Sequence, residues 1–146
     1  MVNDEIRTMS ADLVWAIIKN NNSFLVKRQH VQFSSEPANL KNINSFKYSG
    51  LANYKTVSIL PAARGVRVTT RKANKQNSPA KSINSVVIAK TRRQTSKSVA
   101  NLIAKSKYRP DLRAAAVARA SALLSTQKAR KVHPKRESKG VRANKA

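Results

Sequence analysis

The chain has 146 residues, with 30 Lys or Arg against 6 Asp or Glu and a formal net charge of +24 at pH 7. That length suits one domain with extensions and no second core, and that charge lies outside the range of an ordinary soluble enzyme and points to a polyanion, by default nucleic acid. Zero cysteines exclude disulfides and thiolate metal sites, and the isolated His30 and His133 are too few for a His-based one.

No apolar run approaches the roughly 20 residues of a transmembrane helix, and the N-terminus lacks the basic-then-hydrophobic pattern of a signal peptide, so an intracellular protein with no membrane partner is expected. The charge is uneven. Residues 1 to 63 carry 7 basic and 4 acidic residues, whereas residues 64 to 146 carry 23 and 2. Trp15, Phe24, Phe33 and Phe46, the only Trp and Phe residues, lie in the first third, which predicts a mainly N-terminal core.

In chain order, residues 1–9 read as a flexible leader. Ser10 is placed as the N-cap of a helix over SADLVWAIIKN, with Leu13, Val14, Ile17 and Ile18 forming a core-facing side. Two β-like runs, Phe24 to Arg28 and Val31 to Ser34, are separated by Gln29 and His30, the spacing of a hairpin, with His30 a solvated turn residue. SSEPANLKNINSFKYSG is polar and Asn-rich and reads as an ordered loop, with strand periodicity resuming at Phe46 and Tyr48. Val57 and Ile59 continue it, and Pro61 to Gly65 turn the chain into Val66–Arg71, whose alternation puts positive charge on an outer face.

Residues 71–95 are basic and poor in large apolar groups and are expected to be an extended segment, mobile in isolation. A second helix is expected from about Ser96, with Val99, Leu102 and Ile103 on one face, ending before Pro110. Pro110 at a first helical position and Asp111 at the positive end of the dipole predict a third helix, Ala-rich from Leu112. Its small side chains are expected to let a phosphate backbone approach closely. Residues 128–146 form a basic tail, disordered alone. The resulting fold class is α+β: a small antiparallel sheet packed with an N-terminal helix over residues 10–70, then basic helices over 96–127.

Six carboxylates, none closely paired outside the leader, and three glycines without a phosphate loop leave no enzyme, no cofactor and no small-molecule substrate to propose. The basic residues instead cluster, as Arg64, Arg67, Arg71 and Lys72, then Arg92, Arg93 and Lys97, then Lys105, Lys107, Arg109, Arg113 and Arg119. Such clusters neutralise phosphates without reading base identity. Tyr108, between Lys107 and Arg109, is the best placed of the tyrosines to stack on an unpaired base. Arg109 and Arg113 are assigned to phosphates and not to packing.

The strings MSADLVW, NSFLVKR, SSEPANL, NSFKYSGL and KYRPDLRAAAVARASALL resemble the eukaryotic large-subunit ribosomal protein family numbered twenty-eight, distinct from the bacterial protein of that number. The resemblance covers about residues 9 to 128 and is weak from Ala73 to Arg93. It implies a cytosolic large-subunit component, with assembly in the nucleolus, packed on large-subunit rRNA beside neighbouring large-subunit proteins, with no catalytic role. Carried over by position, it implies rRNA contacts at Lys27, Arg28, Lys47, Lys107, Tyr108, Arg109 and Arg113. Similar proteins begin near the methionine matching Met9, which makes residues 1–8 an extension or an upstream-start artefact. Two rivals share features: a nucleolar ribosome-assembly factor with the same domain, and a DNA-compacting protein of the linker-histone kind.

Overall fold

The computed structural model describes residues 9–75, 78–129 and 132. The expectations for leader residues 1–8 and for most of the tail from 128 to 146 fall outside them. The chain is mixed α+β, as its alternating patterns predict. The element order is α1 (Ala11–Ile18), β1 (Leu25–Arg28), β2 (Val31–Ser34), β3 (Val57–Pro61), β4 (Val66–Arg71), α2 (Pro79–Ser82), β5 (Ile83–Ile88), α3 (Arg92–Ala100) and α4 (Arg113–Thr126).

There are two antiparallel sheets, a β1-β2 hairpin and a three-stranded sheet of order β3-β4-β5. The hairpin has the expected two-residue turn, Arg28 opposite Val31, with Gln29 in the left-handed region at φ 41. In the larger sheet, Ile59 pairs with Val68 and Val68 with Val86. One face therefore presents Val57, Ile59, Val66, Val68 and Ile88, all buried, each contributing on the order of 2 kcal/mol by removal from water.

The layer that covers this face is α3 and α4, which pack on each other while α4 lies on β3 and β4. Val99, Ile103, Leu112, Ala115, Ala116, Ala120 and Leu124 complete the core. The expectation of an N-terminal core is thereby corrected. Of the buried apolar residues among those described, only Leu40 and Ala52 precede Val57, and none of the Trp or Phe residues is among them. α1 buries nothing; Leu13 and Ile17 are 50% and 63% exposed. A lone eight-residue helix has no opposing layer to enclose its apolar side. It is held at its margins by Trp15 against Phe46, ring centroids 6.1 Å apart, by the Asn44 amide donating to the Lys19 carbonyl at 2.9 Å, and by the Tyr54 hydroxyl donating to the Met9 carbonyl.

Three local expectations change. Phe46–Tyr48 is a 3₁₀ turn, not a strand, because its carbonyls are taken by side chains rather than a partner strand: Asn53 donates to the Phe46 oxygen at 2.6 Å and Arg109 to the Lys47 oxygen at 3.0 Å. The stretch 71–95 contains α2, β5 and the start of α3, since β4 offers a pairing edge that composition alone does not reveal. The helix expected from Ser96 starts at Arg92 and runs through a π-helical turn, Asn101–Lys105, before Lys107 reverses the chain at φ 50. The loop from Ser35 to Ser45 is ordered as expected: buried Glu36 accepts from the Gly50 amide at 2.7 Å, and Asn39 donates to the Ile43 carbonyl at 2.8 Å.

Candidate nucleic-acid interface

The segment from Lys107 to Arg113, read from the sequence as a phosphate-binding motif, contains two residues that the fold itself uses. The Tyr108 ring packs against the core. Its hydroxyl donates to the Arg71 carbonyl at 2.5 Å and accepts from the Arg71 amide at 3.1 Å, with the Thr56 carbonyl 3.2 Å away. Burial pushes this phenol above its ordinary pKa, outweighing the lowering effect of its backbone partners. The partly buried ring, with Lys55 Nζ 6.0 Å from its centroid, thus has a structural role beside the stacking one expected of it.

Arg109 is likewise a clamp. Its Nε and Nη2 donate to the two Asp111 carboxylate oxygens at 2.8 Å each, Nη1 to the Lys55 carbonyl at 2.9 Å and Nη2 to the Lys47 carbonyl at 3.0 Å. Four donors of one rigid guanidinium thus tie the start of α4 to the 46–55 loop. The hydrogen bonds from Arg109 hold the Asp111 carboxyl below its ordinary pKa. Asp111 stands in the first turn of the 3₁₀ start of α4, as expected, and it also neutralises Arg109, the ion pair among the described residues. Two alanine stripes divide α4: Ala116 and Ala120 are fully buried under the sheet and give the close approach to β3, while Ala114, Ala118 and Ala122 are exposed.

The remaining cations are free of carboxylates among the described residues. Four of them meet where the β3–β4 turn, the β5–α3 connection and the end of α4 converge, in a cleft lined by Arg64, Lys90, Arg92 and Lys128 together with Gly65, Thr91 and Gln127. Gln127 builds this junction: its amide nitrogen donates to the Gly65 and Ala62 carbonyls at 2.8 and 3.1 Å, and its oxygen accepts from the Gly65 amide at 3.2 Å. Gly65 sits at φ +83, and a Cβ there would overlap the Ile88 carbonyl, so only glycine lets the turn lie this close to β5.

The cleft opens on the first turn of α3, which carries Arg92 and Arg93 and no acidic residue, and whose N-cap Thr91 makes no side-chain cap. Cations at the positive end of a helix dipole are in an unfavourable field that an anion would relieve. From there, Lys90, Gln94, Lys97, Ser98 and Asn101 line one side of α3, and Lys97 and Arg113 line the groove between α3 and α4 with Ser96, Asn101 and Val117. Arg64, Lys128, Lys90, Arg92, Lys97 and Arg113 therefore follow one another around α3.

Other predicted residues lie elsewhere. Lys27 and Arg28 are exposed on β1 and Arg67 on β4, Lys47 sits in the 3₁₀ turn, and Lys72 and Lys105 are exposed at element ends. Arg71 is half-buried, its backbone held by Tyr108. Arg119 reaches across to the 39–43 loop, donating to the Leu40 carbonyl at 3.5 Å and Asn42 Oδ1 at 3.3 Å. Arg92 donates to Ser121 Oγ at 2.9 Å, which fixes α3 against α4 while leaving its charge unopposed.

The sequence profile of the Ribosomal L28e protein family matches residues 13–126. The chain belongs to that family. It is 44% identical over 131 residues to large ribosomal subunit protein eL28 of Schizosaccharomyces pombe, across 85% of this chain and 97% of that protein. The protein of the same name in Dictyostelium discoideum is 41% identical over 126 residues, across 83% and 94% of the two chains. That of Trypanosoma cruzi is 30% identical over 138 residues, across 90% of each.

The L28e match spans α3, α4 and the Arg109 clamp. Lys90 and Lys128 were not singled out as site residues: Lys90 sits two positions ahead of Arg92, Lys128 opens the basic tail, and the turn held by Gln127 brings them beside Arg64 and Arg92. The available signal was Lys90 directly ahead of a Thr-led helix start.

Proposed function

We propose that this chain is a structural constituent of the large subunit of the cytosolic eukaryotic ribosome, assembled into it in the nucleolus, and that it binds large-subunit rRNA by phosphate contacts without catalytic activity. Family membership supports the ribosomal role over the assembly-factor and DNA-compacting readings. The observation that carries the RNA contact is the cleft at the start of α3, where Arg64, Lys90, Arg92 and Lys128 surround a helix N-terminus with no carboxylate among the described residues to oppose them. Phosphate oxygens match both the point charges and the dipole there, and the absence of any aromatic from the lining makes the contact a backbone one.

Binding of the isolated protein to a large-subunit rRNA fragment tests this. With six to ten phosphates neutralised, affinity is expected to fall by roughly 10³ to 10⁵ between about 50 and 200 mM salt. Arg92→Ala and Lys128→Ala are each expected to lower the salt slope by about one and to weaken binding across unrelated RNA sequences alike. A salt slope near zero, or unchanged slopes in both variants, contradicts the assignment.

A further inference from the structure

The β3-β4-β5 sheet has two edges, and they are finished differently. The β3 edge carries Pro61 and is approached by the loop ahead of it, with Ser58 Oγ donating to the Pro37 carbonyl at 2.8 Å. Among the described residues the β5 edge has neither device. From Ser82 to Ala89 there is no Lys, Arg, Asp, Glu or Pro, in a chain where a basic residue otherwise occurs on average every five positions. Natural sheets guard such edges with charge, proline or a covering loop. Here abundant lysines and arginines stop at Lys81 and resume at Lys90.

β5 is also under-covered on both faces. Val86 shares the core-facing side with Val68 and Ile88 yet is 40% exposed, and Val87 and Ile83 on the opposite side are 53% and 56% exposed. In an antiparallel sheet alternate residues of an edge strand bond inward, and the others present their N–H and C=O groups outward.

We propose that the β5 edge is a docking site for an extended segment of a neighbouring protein, aliphatic at its centre and acidic at its ends, which joins the sheet as a fourth strand. A strand laid there satisfies the outward backbone groups and covers Val86 on one face and Val87 on the other. Lys81 precedes the uncharged stretch and Arg67 stands one strand in on the open face, paired with Val87, so carboxylates on either side of the incoming segment's aliphatic centre complement them, while Lys90 stays with the phosphate cleft. A phosphate backbone finds no cation along the edge itself, and the open part of the sheet's other face, formed by Leu60, Arg67, Thr69, Ser85 and Val87, has no aromatic on which a base would stack.

The inference rests on the reading of the chain as a large-subunit constituent. The test uses the full-length protein as the cell's only copy, with p-benzoylphenylalanine replacing Val87, Ile83 or, as a control, Lys97, followed by irradiation of purified large subunits and sequencing of the adducts. Positions 87 and 83 are expected to join the same segment of one second ribosomal protein, with aliphatic centre and acidic flanks, and position 97 to join rRNA. Adding Val87→Lys is expected to cut the adduct from position 83 by roughly tenfold, the scale of a lost anchor. Adducts from 83 and 87 to rRNA, to a helical segment or to this chain's own termini overturn the proposal, as does the lack of any protein adduct. If position 97 still joins rRNA, the ribosomal reading survives that outcome. Absence of the variants from large subunits that otherwise form removes both.

Discussion

Arg109 illustrates how a residue that looks like a ligand contact becomes a structural one. Removing its guanidinium leaves the Lys47 and Lys55 carbonyls and the Asp111 carboxylate without their donors, so Arg109→Ala is expected to lower unfolding free energy by about 1–3 kcal/mol, whereas Arg113→Ala, exposed and unpaired, changes it by no more than about 0.5 kcal/mol. Chemical denaturation of the two variants distinguishes them. The deficit depends on pH with a definite sign. Arg109 holds Asp111 below 3.8, a contribution present above that value and lost as pH falls through the lower folded one, so the gap between Arg109→Ala and the unaltered protein narrows below about pH 4. Solvent screening at the partly exposed carboxylate keeps this pH-dependent part small. A gap that is constant or widens on acidification places the effect elsewhere. None of this was legible in sequence, because the carbonyls that engage Arg109 and Tyr108 lie 37 to 62 residues away, and a basic-aromatic-basic run looks the same whether it faces RNA or the chain's own loops.

At the scale of elements, strands were readable where alternation was complete. Val57–Ile59 and Val66–Arg71 alternate and are joined by a Pro- and Gly-bounded turn, and the β1-β2 hairpin showed itself by its two-residue gap. β5 was missed because INSVVI lies between basic, polar stretches and draws its stability from the β4 edge, not from a pattern of its own. α1 misled in the opposite way, its apolar periodicity being real but unenclosed. α4 was located correctly, with Leu124 in the core and Arg113 outside it, but part of its alanine surface faces the sheet. Its alanines seat it on the sheet, so Ala120→Leu is expected to destabilise the fold by about 1–3 kcal/mol through overpacking against β3 and β4. Thermal unfolding measures it, and an unchanged midpoint would show that α4 does not pack as described.

Across the whole molecule the division of labour differs from a folding N-terminal half and a binding C-terminal half. The basic half supplies most of the core, and its cations ride on the outside of the helices and turns that build it, while the N-terminal hairpin and α1 are loosely attached and apolar on their exposed sides. On the proposed function, a protein fixed during assembly with its cleft and α3 against rRNA is expected to leave only if its surroundings open, even though its contacts with a free fragment are expected to be salt-sensitive. The most direct test is the amount of this protein on translating large subunits after a high-salt wash that strips loosely bound factors, measured by quantitative mass spectrometry. One copy per subunit is the expected result; recovery chiefly on immature nuclear particles, with absence from translating subunits, contradicts it.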